Sequence, residues 1–323
     1  MRGDMLLWTA LAMNVIFILV SCQDDSIPIN KDDPDLMMNF EEDPLHTMPT
    51  RLTDPNGNSN GCLREVSFNA DYNYQICNAP NCPAEDVVIE PSDEVARTGE
   101  KSLHFFMRPS PLNDWPGSDA NHRAELGPDY DSAIQPFPAE GEERWYGMSI
   151  FFPEDFVVAP ESIESDVRFA FAQWQHGSAG APVLALEVYG DQIALSCQQG
   201  ESTNSKWAGA EMLTTIRKGE WIDLVLQVKW SKSKGKIRIW VNGDEVYNNN
   251  TIQTMYTNLD RGGAFKFGIY YWRWKRVEDV TKSLNAGIEN RELFIDEVSQ
   301  YKGRNGFSVV SPRKYSFAGL FVF

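Results

Sequence analysis

Trp221-Ile222-Asp223-Leu224-Val225-Leu226-Gln227-Val228-Lys229-Trp230 passes through Ser231-Lys232-Ser233-Lys234-Gly235 into Ile237-Arg238-Ile239-Trp240-Val241, and Asn242-Gly243 closes the stretch. Ile222, Leu224, Leu226 and Val228 recur at every second position, as do Ile237, Ile239 and Val241, which is the period of strands with one face in a core. Lys234-Gly235 marks a turn between the two runs. Asn242-Gly243 opens another hairpin, because both residues tolerate positive φ. The same pattern extends outward to Lys101–Met107, Trp145–Phe152 and Val183–Tyr189, and no segment holds a sustained 3.6 period. Many strands, short turns and no helices predict an all-β fold: two packed antiparallel sheets in a single-domain jelly-roll sandwich over residues 61–323.

The 323 residues include 10 Trp, 11 Tyr and 18 Phe, an apolar area that excludes disorder for most of the chain. Lys and Arg number 29 against 46 Asp and Glu, a net charge of −17, so a surface devoted to nucleic acid is excluded. The charge is uneven. Residues 61–260 carry 15 basic and 30 acidic side chains, whereas residues 261–323 carry 11 basic and 6 acidic. A local cationic groove on an acidic body suits an anionic chain and predicts binding that weakens with salt.

Residues 1–21 read as a signal peptide with a short apolar run, Met5–Val20. Leu19-Val20-Ser21-Cys22 resembles the lipobox of bacterial lipoproteins, which implies lipidation of Cys22, a membrane anchor, and a place at the outer membrane or cell surface facing the periplasm or exterior. Residues 22–60, rich in Pro and Asp, read as an acidic tether. Cys62, Cys77, Cys82 and Cys197 then allow disulfides in three pairings, suited to an exported chain. No His stands at ligand spacing near Cys77 and Cys82, which disfavours zinc.

Three segments carry chemistry. In His122-Arg123-Ala124-Glu125-Leu126, alternation puts Arg123 and Glu125 on one face, either as a held cation for a substrate carboxylate or as an ordinary ion pair. Phe169-Ala170-Phe171-Ala172-Gln173-Trp174-Gln175-His176-Gly177 ends in two amides, a Trp and a His, where a base could meet a sugar or a histidine could simply be buried. In Phe265-Lys266-Phe267-Gly268-Ile269-Tyr270-Tyr271-Trp272-Arg273-Trp274-Lys275-Arg276, Lys266, Gly268, Tyr270 and Trp272 share a face. Gly268 leaves room there for a ligand, Trp272 and Trp274 offer sugar-stacking rings, and Arg273 adds charge.

The Trp230–Gly243 hairpin resembles one shared by concanavalin-like sandwiches. Taken in order, Arg97-Thr98-Gly99-Glu100-Lys101, Arg123-Ala124-Glu125-Leu126, Glu143-Arg144-Trp145-Tyr146-Gly147, Ala172-Gln173-Trp174-Gln175-His176 and Lys266-Phe267-Gly268-Ile269-Tyr270 resemble polysaccharide lyases of the heparin lyase I and glucuronan lyase type, with a more distant similarity to jelly-roll alginate lyases. The resemblance implies β-elimination on a uronic-acid polysaccharide. Tyr270, His176, Arg123 and Gln173 would be catalytic, and Gln175, Glu125, Lys266, Trp272, Arg273 and Trp174 would bind substrate. The family commonly reads Gln-x-His, whereas Gln173 and His176 are three apart; either a bulge at Gln175 restores the geometry or Gln175 takes the place of Gln173.

On that reading Arg123 and an amide stabilise the charge that grows on the uronate carboxylate. His176 or Tyr270 takes the C5 proton, and Tyr270 protonates the leaving oxygen. Tyrosine ordinarily ionises near pH 10, so Tyr270 needs positive neighbours to serve as base. A laminarinase-like hydrolase would need closely set acids on one strand face, and Glu142-Glu143 and Asp296-Glu297 are adjacent instead. A carbohydrate-binding module would need neither His176 nor Tyr270. The cofactor is unknown: many such sandwiches bind calcium through loop oxygens, but no ligand loop is legible, and no metal residue is named. A monomer is expected, with no nucleic-acid partner.

Overall fold

The computed structural model describes residues 35–45, 62–63, 67–77, 86–109, 122–129, 135–177 and 180–312. Strands are numbered in chain order. One antiparallel sheet runs β14 (Asp244–Ile252), β13 (Gly235–Val241), β12 (Trp221–Lys229), β7 (Glu143–Phe151), β16 (Arg291–Lys302), β5 (Ser102–Met107) and β4 (Val87–Ser92), with β1 (Leu36–Met38) also on β16. The other runs β11 (Asn204–Thr215), β10 (Gln192–Glu201), β9 (Leu184–Tyr189), β8 (Phe169–Gln175), β15 (Ala264–Tyr271), β6 (His122–Pro128), β3 (Tyr72–Cys77) and β2 (Cys62–Leu63). This is the expected jelly-roll sandwich. Asn242 and Gly243 take φ of 52° and 92° at the β13–β14 turn, the conformation that the Asn-Gly pair favours.

The alternating residues of both sheets meet in one core. Leu103, Phe105, Tyr146, Met148, Ile150, Leu224 and Leu226 face Phe169, Trp174, Phe265, Phe267 and Ile269, and all are buried. Each such side chain contributes roughly 1.5–3 kcal/mol by leaving water. On the outer side of the first sheet, α2 (Phe307–Val310) covers Trp145, Val225 and Trp240. The outer side of the second sheet instead carries polar groups.

Three expectations are corrected. The domain begins before residue 61: Leu36, Met38 and Phe40 are buried, and Leu36–Met38 pairs with Val298–Gln300 of β16, beyond the stretch that β5 occupies. Three alternating apolar residues suffice to dock this part of the supposed tether. A helix is present, α1 (Val277–Asn285), following a 3-10 turn at Trp272–Lys275. Its first turn carries Glu278 and Asp279, which suit the positive end of the helix dipole. Cys197 is buried and unpaired, its thiol pKa pushed up by burial to about 12; it belongs to the core rather than to a disulfide. Cys62 and Cys77 are register partners of β2 and β3. Residues 1–21, Cys22 and Cys82 lie outside the described residues.

His122, 1% exposed, stands edge-on to Trp274 with ring centroids 5.9 Å apart. Burial pushes its pKa down to about 3. Between about 3 and the ordinary 6.5 the unfolded chain therefore binds more protons, so this contribution to stability is whole above the window and is lost as pH falls through it. Asp296 opposes it: burial raises its pKa to about 7, so its share of stability declines as pH rises toward 7. His122→Phe is expected to flatten the fall in urea stability between pH 6.5 and 4.5 by up to about 1.4 kcal/mol per pH unit relative to the parent chain. Parallel pH profiles would show that His122 is not held neutral by the fold.

Candidate active site

Along β15, Phe265, Phe267, Ile269 and Tyr271 enter the core, which turns Lys266 and Tyr270 to the outer face of the second sheet. Gly268 between them has φ of +122°, and a Cβ there would stand 2.4 Å from the Ala124 carbonyl oxygen and 2.9 Å from Glu125 Cα. The pairing of β15 with β8 slips between Phe267 and Tyr270. A side chain at 268 would therefore collide with β6 and move the strand that carries Tyr270. Gly268→Ala is expected to lower kcat by about 100-fold, the size of effect a displacement near 1 Å can produce, with a lower melting temperature. Full turnover would show that Tyr270 is placed by other means.

Beside Tyr270 the sheet carries a buried polar row. Gln75, Glu125, Gln173 and Lys266 are each 6% exposed or less. Lys266 Nζ donates to Gln75 Oε1 at 2.7 Å, and Gln173 Nε2 donates to Glu125 Oε1. The other carboxylate oxygen of Glu125 lies 3.4 Å from Arg123 Nη1. Arg123 in turn places its guanidinium carbon 4.7 Å from the centre of the Tyr270 ring. Its Nε is buried with no hydrogen-bond partner. Glu125 thus fixes a cation over the tyrosine ring, and Gln173 fixes Glu125.

Strict alternation from Phe169 and Phe171 would send Gln173 into the core. The structure avoids this with a bulge. Ala170 pairs with Glu187 but Ala172 with Leu186, so Phe171 is an extra residue relative to β9. Phe171 and Ala172 both belong to the core, Ala170 lines the outer face, and Gln173 follows it there. The bulge lies four residues before Gln175, not at it, and pairing is regular through Gln175↔Ala264. Gln173 and Gln175 therefore share the outer face, and His176 does not.

His176 is 1% exposed and packs edge-on against Tyr256, ring centroids 4.9 Å apart. Its Nε2 donates to the Ala181 carbonyl at 3.2 Å, and the Tyr256 hydroxyl donates to the same oxygen at 2.9 Å. Burial, reinforced by the charge of Arg261, pushes its pKa down against that hydrogen bond. Gln175 spans the same loop, donating to Gly180 O at 3.3 Å and accepting from Gly177 N at 2.6 Å. The structure thus gives both residues the work of shaping the Gly180–Pro182 wall.

Two aromatic residues are corrected outright. Trp174 is 0% exposed, stacked on Phe265 with centroids 5.2 Å apart. Trp274 stacks on Tyr271 at 4.1 Å and donates to Ser283. Both lie in the core, where no sugar reaches. Trp272 remains outside, 5.6 Å from the Tyr270 ring centre, and Arg273 Nη1 stands 3.9 Å from Asp279.

Tyr270 and Trp272 form one side of a cavity of about 310 Å³. Ala170 and Ala185 line it from β8 and β9, Ser196 and Gln198 from β10, and Gly180–Pro182 from the loop. Arg168, Glu187 and Lys275 supply its charges. Its volume falls at the small end of ligand pockets. Among the described residues, no group of three or more His, Cys, Asp or Glu is disposed to hold a metal ion.

A family model described as polysaccharide lyase matches residues 71–299. The chain belongs to the polysaccharide lyase family. Among solved structures it is similar to the endo-β-1,4-glucuronan lyase of the fungus Trichoderma reesei, at 20% identity over 78% of this chain and 100% of that one, with a TM-score of 0.55. Alginate lyase A1-II′, of polysaccharide lyase family 7, aligns at 13% identity over 72% of this chain and 95% of its own, with a TM-score of 0.46. At such identities the likeness to glucuronan lyase is one of fold. No curated protein sequence matches.

Sequence reasoning about this polysaccharide lyase missed Gln75, Arg168, Glu187, Ser196, Gln198 and Lys275. Lys275 was on a segment already singled out for its positive charge. The others were not marked by local pattern, because their neighbours in the site come from different strands.

Proposed function

We propose that this lyase cleaves a polyuronate by β-elimination, with Tyr270 moving the proton and Arg123 stabilising the uronate carboxylate. The observation that carries the reading is the placement of Tyr270, with the cavity on one side and the Arg123 guanidinium 4.7 Å from its ring. Tyr270, as the phenolate, takes the C5 proton. The electron pair of that C–H bond becomes the C4=C5 double bond, the C4–O bond breaks, and the leaving oxygen receives the proton from Tyr270. One residue serving both ends requires that proton and leaving group depart from the same face of the ring. Charge grows on the carboxylate during C5 deprotonation, and Arg123, already fixed by Glu125, meets it without reorganisation. Gln173 and His176 enter as positioning residues, one through Glu125 and the other through the Gly180–Pro182 wall. The sequence tetrapeptide ending at Cys22 supports a lipid-anchored lyase at the bacterial outer membrane or cell surface, acting on polysaccharide from outside.

Incubation with glucuronan, alginate and heparin tests the reading. Rising ultraviolet absorbance from an unsaturated uronate end is expected with glucuronan or alginate, and a rise with heparin alone would overturn the polyuronate reading. New reducing ends without absorbance would mean hydrolysis, and retention without cleavage would mean a binding module.

A further inference from the structure

The elimination leaves the charged groups of the cavity, Arg168, Glu187 and Lys275, without a task. Arg168 stands just before β8, and the bulge at Phe171 puts it on the same face as Gln173. Its guanidinium carbon lies 4.5 Å from the Trp207 ring centre, 5.6 Å from Trp272 and 5.8 Å from Tyr189. Trp207, 47% exposed, is held in place by its Nε1 donating to Ser196 Oγ at 2.9 Å. Arg168 is therefore caged by rings from β9, β11 and the 3-10 turn after β15, with its planar fork fixed.

The carboxylate paired with it, Glu187, does not satisfy it. Glu187 Oε2 is 3.6 Å from Arg168 Nη1, beyond hydrogen-bond reach. Arg168 Nε and Nη1, and Glu187 Oε2, are buried with no hydrogen-bond partner. Burial also pushes the Glu187 pKa up, against the pull of Arg168 and Ser196. Buried donors of a guanidinium gain most from an anionic acceptor. The space beside them exists because Ala170 and Ala185 present only methyl groups. Lys275 adds a second positive charge, so the two cations outnumber Glu187.

We infer that this cavity receives the sugar adjoining the one attacked at Tyr270, and that Arg168, with Lys275, recognises the carboxylate of that neighbouring sugar. The inference rests on the polyuronate reading and deepens it: the enzyme selects chains of consecutive uronates over chains in which uronates alternate with other sugars. The rings of Tyr270, Trp272 and Trp207 provide apolar surface for the sugar, and the guanidinium reads its charge.

The test compares a homopolyuronate that the parent chain cleaves with a polymer of alternating uronate and hexosamine. The parent is expected to show kcat/KM at least about tenfold higher on the homopolymer, a factor that one good charged contact supplies. Arg168→Gln is expected to raise KM about tenfold, to affect KM more than kcat, and to erase the preference. Arg168→Gln also leaves Glu187 unpaired, so the double variant Arg168→Gln/Glu187→Gln is measured beside it, with melting curves. Titration of tryptophan fluorescence with uronate oligomers gives a second readout independent of turnover, expected to show the same tenfold weakening. Unchanged KM, oligomer affinity and preference in a folded double variant overturn the inference while the lyase reading stands. Absence of unsaturated product from every polyuronate with the parent chain overturns that reading and the inference with it.

Discussion

Tyr270→Phe removes one oxygen and is expected to lower kcat by at least about 1,000-fold. Proton transfer by a positioned side chain is worth roughly 10²–10⁴, and in the proposed mechanism the same hydroxyl serves at both ends of the elimination. The ring, its 5.6 Å contact with Trp272 and the guanidinium 4.7 Å above it all remain, so the fold and substrate affinity should be preserved. Initial rates of absorbance increase, with an oligomer titration alongside, separate the two effects. Turnover within tenfold of the parent would assign the proton work elsewhere and reopen the case for His176, despite its burial and its bond to Ala181.

Arg123→Gln is expected to cost about 10²–10³ in kcat, the range found for losing one fixed stabiliser of developing charge. Stability should also fall, because Glu125, 1% exposed, loses the cation that faces it. Adding Glu125→Gln should restore much of the stability and none of the rate. That split distinguishes a residue that meets the substrate from an ion pair that merely holds two strands together. Recovery of both in the double variant would leave Arg123 a purely structural role.

Much of this was legible in advance, and the rest was hidden for identifiable reasons. β15 alternates without interruption from Phe265 to Tyr271, so the shared face of Lys266 and Tyr270 followed from period alone. Arg123 and Glu125 were legible for the same reason. β8 misled because a bulge inserts one residue without altering composition, and its neighbours Ala170, Phe171 and Ala172 are all plausible on a core face. Trp174 looked like a substrate-binding ring beside Gln173, yet the parity that turns Gln173 to the outer face turns Trp174 into the core. α1, with nine residues, is too short for its period to stand out. Leu36, Met38 and Phe40 did alternate, but within acidic, proline-rich surroundings that concealed a docking strand. Arg168 could not be singled out, since its cage joins residues 189, 207 and 272, which only the sheet order brings together.

The bulge at Phe171 makes this enzyme sensitive to chain length in a way that no substitution reproduces. Loss of a single apolar residue between Ala170 and Ala172 changes no catalytic group and leaves an apparently regular strand. Yet it reverses the parity between Arg168 and Gln173, so one register would have to bury an amide in the core or turn the guanidinium away from its cage. Related chains that keep every chemical residue but differ by one in this short interval would therefore share the fold while losing the alignment of the two halves of the site.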